Sequence, residues 1–132
     1  RGVGYSRANL FGKYFDKYNV EAQSPIIIAQ IEHINAVNNL EEIIKVKGLD
    51  AIIIGPYDLS ASMGLTGKFE DKEFVKVMDL ILNICKRNNF PCGDHIIYPD
   101  PVSISNKVDQ GFRFLAYSTD GVLLHHAAEL KI

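Results

Sequence analysis

The sequence predicts an α/β fold built from successive strand–helix units, and three observations predict it. Apolar strand-like runs alternate with helical patterns four times along the 132 residues. The links between them suit right-handed parallel crossovers. The strand candidates are apolar runs without strict polar alternation, the pattern of strands covered on both faces. Four such units make either a small open sheet or half of a (β/α)8 barrel, which typically takes about 250 residues. The chain opens RGVGYSR, with no initiator methionine and no evident first element, as a sequence entered midway would. A half-barrel is therefore the expectation, with residues 1–132 as a single domain and 1–24 as an irregular or helical lead-in.

The first strand is expected at 26–32, IIIAQIE, entered through Pro25. NAVNNLEEIIKVKG follows as a helix, with Val37, Leu40 and Ile44 near one face and Gly48 as its C-cap. The second strand is AIIIG, 51–55, followed by a Ser/Gly-rich loop, SASMGLTG. A long amphipathic helix over roughly 70–88 carries Phe74, Val77, Ile81, Ile84 and Cys85 as a core-facing stripe. The third strand lies near 91–97 and stops at Tyr98-Pro99-Asp100-Pro101. A short helix at about 102–109 ends at Gly111, FRFLAYS (112–118) is the fourth strand, and VLLHHAAEL begins a final helix.

Composition excludes several classes. A net charge of −2 gives no general attraction to nucleic acid or anionic membranes. No apolar run reaches membrane-spanning length and no signal-peptide pattern opens the chain. Two cysteines, Cys85 and Cys92, are too few for a disulfide framework and match no zinc spacing, so both read as buried free thiols. A reducing cytoplasm is the expected location.

Parallel α/β folds place their active sites at the C-terminal ends of the strands. There the four strands deliver Gln30 and Glu32; Gly55, Pro56, Tyr57 and Asp58; Asp94, His95 and Tyr98; and Tyr117, Ser118 and Asp120. Alternation puts Ile26, Ile28, Gln30 and Glu32 on one face. Adjacent strands lie about 4.8 Å apart, so Glu32 and Asp58 at neighbouring tips can approach one ion. Two carboxylates with open positions suit a hard cation such as Mg2+ or Mn2+. Gly55-Pro56 would turn the backbone so that the Tyr57 and Asp58 amides face the cavity. Acids at strand ends also serve as helix N-caps or solvated loop groups, and spacing alone leaves both readings open.

QIEHINAVNNLEEIIKVKGLDAIIIGPYDLSASMG resembles the signature region of the HpcH/HpaI aldolase family. The opening RGVGYSRANLFG is similar to the segment those enzymes carry before this strand, and GDHIIYPDP and GFRFLAYSTDGVLL resemble their last two strands. The resemblance implies the C-terminal half of a (β/α)8 TIM-type barrel, strands five to eight. It implies a divalent-metal-dependent aldolase, a carbon–carbon lyase that cleaves a 4-hydroxy-2-oxo acid to pyruvate and an aldehyde through a metal-stabilised enolate. Carried over by residue, Glu32 and Asp58 match the ligands of Mg2+ or Mn2+. Gln30 matches a substrate-contacting glutamine, and Tyr57 stands where a backbone amide binds the pyruvate carboxylate. The family's histidine base, its supporting aspartate and a charge-stabilising arginine lie on the first half of the barrel. No catalytic residue is therefore assigned among these 132. The expected partners are small molecules and further copies of the chain in a homo-oligomer, with no nucleic acid and no membrane.

The remaining candidates carry milder expectations. His95 reads first as a hydrogen-bonded histidine at a strand end and second as a supporting partner or stand-in base. His33 is expected on the opposite face, toward the helices, and His125 and His126 at a surface or interface. Asp120-Gly121 reads as a turn or helix N-cap, and Arg1 and Arg7 as solvated cations that could meet an anionic substrate tail. No strand contains the lysine a Schiff-base aldolase needs. No Gly-rich phosphate cradle follows the third or fourth strand. The alternative to an enzyme is a non-catalytic half-barrel, an interaction module or subunit fragment whose open edges require cover.

Overall fold

The structure, a computed structural model, describes residues 4–129. Arg1 and the last residues of the expected final helix lie outside that range. Four parallel strands form one sheet in the order β1-β2-β3-β4: β1 (Ile28–Ile31), β2 (Ala51–Ile54), β3 (Cys92–Ile96) and β4 (Phe114–Tyr117). The lead-in holds a 3-10 turn, Arg7–Asn9, and helix α1, Phe15–Glu21. Asn9 organises that turn from a buried position. Its amide donates to the Gly4 carbonyl at 2.7 Å, and its Oδ1 accepts from the Ser6 and Gly12 amides.

After β1 the expected single helix is two short ones, α2 (Ile34–Asn38) and α3 (Leu40–Ile43). They break at Asn39, whose φ of −107° and ψ of 12° leave the helical region. Gly48, at φ +90°, lies beyond the helix end rather than at its C-cap. A larger departure follows β2. Pro56–Ser62 is a helix, α4, where the residues after Gly55 read as a turn and the Ser/Gly run as a loop. Pro56 takes the first helical position, where its fixed φ fits and its missing N–H is no loss. Ser60 and Ser62 donate back to the carbonyls of Tyr57 and Leu59, so their hydroxyls find partners inside the helix.

Helix α5 (Lys72–Arg87) is capped by Asp71, whose carboxylate accepts from the Glu73 amide. Four of its expected stripe residues, Phe74, Ile81, Ile84 and Cys85, are buried, and Val77 packs against them. Helix α6 (Pro101–Gln110) ends at Gly111 in the left-handed region, φ +103°. Helix α7 (Asp120–Ala128) is capped by Thr119, so Asp120 is its first residue and not the cap. Asp100 caps α6 through the Val102 and Ser103 amides and the Ser103 hydroxyl. The Ser103 hydroxyl first, and the Val102 amide second, hold its carboxyl below the ordinary value of 3.8. A depressed acid stabilises the folded state above its unfolded value and loses that effect as pH falls through the lower folded value. The α6 amides are therefore expected to lose hydrogen-exchange protection only well into acid, and Asp100→Ala to lose it at neutral pH.

The core lies on one face of the sheet. Ala29, Ile31, Ile52, Ile54, Cys92 and Leu115 pack with Val37, Leu40, Leu59, Phe74, Ile81 and Phe112 in a single cluster. The opposite face is not covered along β1, where Ile28 is 44% exposed and Gln30 and Glu32 are exposed. The expectation of strands covered on both sides fails there because the inner face of half a barrel has nothing of its own to pack against. Phe114 covers part of that face by lying against Gly93, where any Cβ would strike its ring. Cys85 and Cys92 are buried free thiols, and Cys92 Sγ lies 3.9 Å from the Gly93 carbonyl. The neighbouring Cys92 thiol draws Cys85 below the usual thiol range, while Cys85 and burial push Cys92 up. No helix among the described residues is long and apolar enough to cross a membrane.

Candidate active site

Alternation and register decide which groups face the open side. Gln30 pairs with Ile53 and Ile31 with Ile54, and the Gly55 amide donates to the Ile31 carbonyl at 3.0 Å. The pairing thus extends one step past the strands and sets Gly55 beside Glu32. A methyl group at Gly55 would sit 3.3 Å from Glu32 Cβ and 2.7 Å from Gln30 Nε2. Both side chains therefore lie over Gly55, and Gln30 Nε2 donates to Glu32 Oε2 at 2.9 Å. Gly55→Ala is expected to push Gln30 off Glu32 with little effect on overall stability, since the nearer atom ends a flexible side chain. Chemical shifts of the Gln30 side-chain amide in the variant would show it.

Asp58 lies in the first turn of α4, three positions after Gly55. In that turn the Leu59 amide bonds the Gly55 carbonyl, while helix geometry leaves the amides of Tyr57 and Asp58 without intrahelical acceptors. Tyr57 is 48% exposed, with its ring edge against Phe69 at 4.9 Å between centroids. Ser62, which the sequence did not single out, ties the two carriers of acid together. Its hydroxyl donates to the Leu59 carbonyl at 2.7 Å and accepts from the Ile34 amide at 2.9 Å. Helix α4 is thereby fixed to the chain two residues beyond Glu32. A Gly-Pro pair followed by an acid was the available signal for this helix start.

Glu32 and Asp58 are exposed. Glu32 keeps Oε1 free of the Gln30 bond, and the Asp58 carboxylate has no hydrogen bond or ion pair among the described residues. Such a donor set, oxygen-only with unused lone pairs, fits a hard divalent cation. No group of three or more His, Cys, Asp or Glu side chains converges among the described residues. A cation held here would take its remaining positions from water and substrate.

The acids and histidines of β3 and β4 separate by face. Asp94 shares the helix-facing side with Cys92 and Ile96 and is 2% exposed. It pairs with Lys107 of α6 at 2.5 Å and accepts from the His95 amide. Lys107 Nζ also stands 5.2 Å from the Phe112 ring centroid. This pair lines a cavity of about 670 Å3 between α5 and α6, with Phe69, Phe74 and Met78 on its walls; Tyr57 and His95 also border it, whereas Gln30, Glu32 and Asp58 do not. His95 faces the open side and is hydrogen-bonded at the strand end, Nε2 lying 3.3 Å from the Ser118 carbonyl. Ser118 has φ +59°, and its buried hydroxyl finds no partner among the described residues. His33 caps α2 by accepting from the Asn35 amide and is exposed, not packed among the helices. Tyr98 bonds His126, and both His125 and His126 lie near Glu129 at the end of α7.

Residues 4–127 match the family model described as HpcH/HpaI aldolase/citrate lyase. The chain is 33% identical over 121 residues to a 5-keto-4-deoxy-D-glucarate aldolase of Citrobacter koseri, a match covering 91% of this chain and 46% of the relative. It is 37% identical over 121 residues to a 4-hydroxy-2-oxovalerate aldolase of Novosphingobium aromaticivorans, covering 91% and 45%. The fold superposes on the crystal structure of an HpcH/HpaI aldolase from Desulfitobacterium hafniense with a TM-score of 0.71 and 30% identity, covering 96% of this chain and 49% of that one. A family member from Burkholderia cenocepacia gives 0.74 at 28% identity with the same coverages. The chain spans about half the length of the curated relatives it matches. Its four parallel strands are thus a partial barrel of the type those aldolases form. Matched along nearly its whole length by the family model and by aldolases of known structure, the chain belongs to the HpcH/HpaI aldolase/citrate lyase family.

Proposed function

We propose that this chain supplies the metal-holding, 2-oxo-acid-binding half of an aldolase that cleaves a 4-hydroxy-2-oxo acid to pyruvate and an aldehyde. The observation that carries the reading is the stacking of Gln30 and Glu32 over Gly55, directly before the helix turn that bears Asp58. Glu32 and Asp58 would hold Mg2+ or Mn2+. A bound divalent cation would act as a Lewis acid toward the charge that develops on the 2-oxo oxygen as the carbon–carbon bond breaks. The residues themselves do the rest. Gln30 orients Glu32 by donating to Oε2 and leaves Oε1 available. The amides of Tyr57 and Asp58 are free donors for the substrate carboxylate, a contact that does not depend on the Tyr57 side chain. The proton-transfer group is assigned to the barrel half that the relatives carry in addition.

Manganese binding followed by the loss of its free-ion paramagnetic resonance signal tests this. One ion per chain is expected for the wild type and none for Glu32→Ala. Equal binding by that variant would remove Glu32 from the site.

A second reading, a non-catalytic half-barrel that serves as an interaction module, rests on the outer edges of β1 and β4, unpaired among the described residues, and on the exposed Ile28 face. A chain that neither binds manganese nor remains monomeric in sedimentation would favour it.

A further inference from the structure

His95 lies on the open face, and the reading above gives it no task. The register carries it to the level of the metal-side acid. Ile31 pairs with Ile54, Ile53 with Gly93 and His95 with Ala116, so the row continues Glu32, Gly55, His95, Ala116 across the sheet. Gly55 has no side chain of its own, and the Gln30 amide reaches over it from the row below, leaving Glu32 and His95 as the side chains on either flank of that row. Two strand spacings separate them, about 10 Å. Substrate carbons beyond the group seated at Glu32 would cross that distance above the Gln30 amide to reach His95.

The hydrogen bond of the ring fixes what His95 can offer. The Ser118 carbonyl only accepts, so Nε2 carries the hydrogen and donates to it at 3.3 Å. In the neutral ring Nδ1 is then an acceptor without a proton. The Asp94 carboxylate does not compete for it, being engaged by the His95 backbone amide and by Lys107 on the other face. An acceptor at this place answers a hydroxyl group and has nothing to offer an alkyl chain.

We propose that His95 is a specificity-determining residue that accepts a hydrogen bond from a hydroxyl beyond C4 of the substrate, so that the site selects polyhydroxylated 2-oxo acids over their alkyl analogues. This rests on the assignment of Glu32, Asp58 and the Tyr57 and Asp58 amides to the 2-oxo-acid end. The two named relatives span the choice, one called a deoxy-glucarate aldolase and the other an oxovalerate aldolase.

The test is calorimetric titration of the manganese-loaded chain with pyruvate, 2-oxopentanoate and 5-hydroxy-2-oxopentanoate. The last two differ by one hydroxyl and lack the 4-hydroxyl that cleavage requires. Wild type is expected to bind the hydroxylated acid about tenfold more tightly than 2-oxopentanoate, the worth of one hydrogen bond. His95→Leu is expected to abolish that preference. His95→Asn, whose Oδ1 takes the place of Nδ1, is expected to restore much of it. Pyruvate affinity should be the same in all three. A preference that survives in His95→Leu, or none in a wild type that binds pyruvate, overturns the proposal for His95 alone. Failure of the loaded wild type to bind pyruvate overturns the metal-site reading and this inference with it.

Discussion

Lys107→Met is expected to destabilise the fold by about 3–5 kcal/mol, a large share of the roughly 5–15 kcal/mol typical of a native domain. The cause is the acid left behind. Asp94 is 2% exposed, turned into the helix layer, and its Oδ2 has Lys107 as its charged partner. Without the ammonium, either the carboxylate stays charged in a poorly solvated place or it takes up a proton at a cost in free energy. Lys107 keeps 28% of its side chain exposed, so some water reaches the pair and the effect should fall toward the lower end. Removing both partners with Asp94→Leu/Lys107→Met should recover most of the loss, because no buried charge is then unpaired. Urea unfolding of the two variants checks this, and a double variant no more stable than the single one would contradict it.

Asp58→Ala is expected to lower manganese affinity by more than the roughly 10–100-fold typical of losing a supporting group around a metal. Glu32 alone offers one free oxygen, and a single exposed carboxylate holds a hydrated divalent ion weakly. The fold should survive. Asp58 is exposed in the first turn of α4, which keeps Pro56 at its start and the Ser62 bridge to Ile34. The circular dichroism spectrum should match wild type while the metal is lost. Unfolding of this variant would show that Asp58 stabilises the start of α4 instead.

The strand–helix alternation was legible because β2 is an uninterrupted apolar run, the other strands are short, mostly apolar runs bounded by turn residues, and α5 carries an apolar stripe at helical spacing. Alternation was likewise enough to place Gln30 and Glu32 on one face. The helix α4 was not read because Gly, Pro and Ser in succession signal a turn. Only the fold shows that Ser60 and Ser62 return their hydroxyls to helix carbonyls and that Ser62 also reaches Ile34. The orientation of Asp94 was available in principle. It lies two residues from Cys92, a thiol read as buried, and so on the same face. Its partner Lys107 is thirteen positions away on another element, and no local pattern announces such a pair. Exposure along β1 escaped the reading for a different reason: apolar strands report the barrel they are made for, while the open face reports how much of it this chain contains.

If, as proposed, Glu32 and Asp58 hold a divalent cation to which a 2-oxo acid binds, manganese on the chain will relax the methyl protons of added pyruvate. Relaxation is expected to quicken when the wild-type chain is added, to be reversed by chelator and to stay unchanged with Asp58→Ala. The same enhancement from Asp58→Ala as from wild type would contradict that proposal.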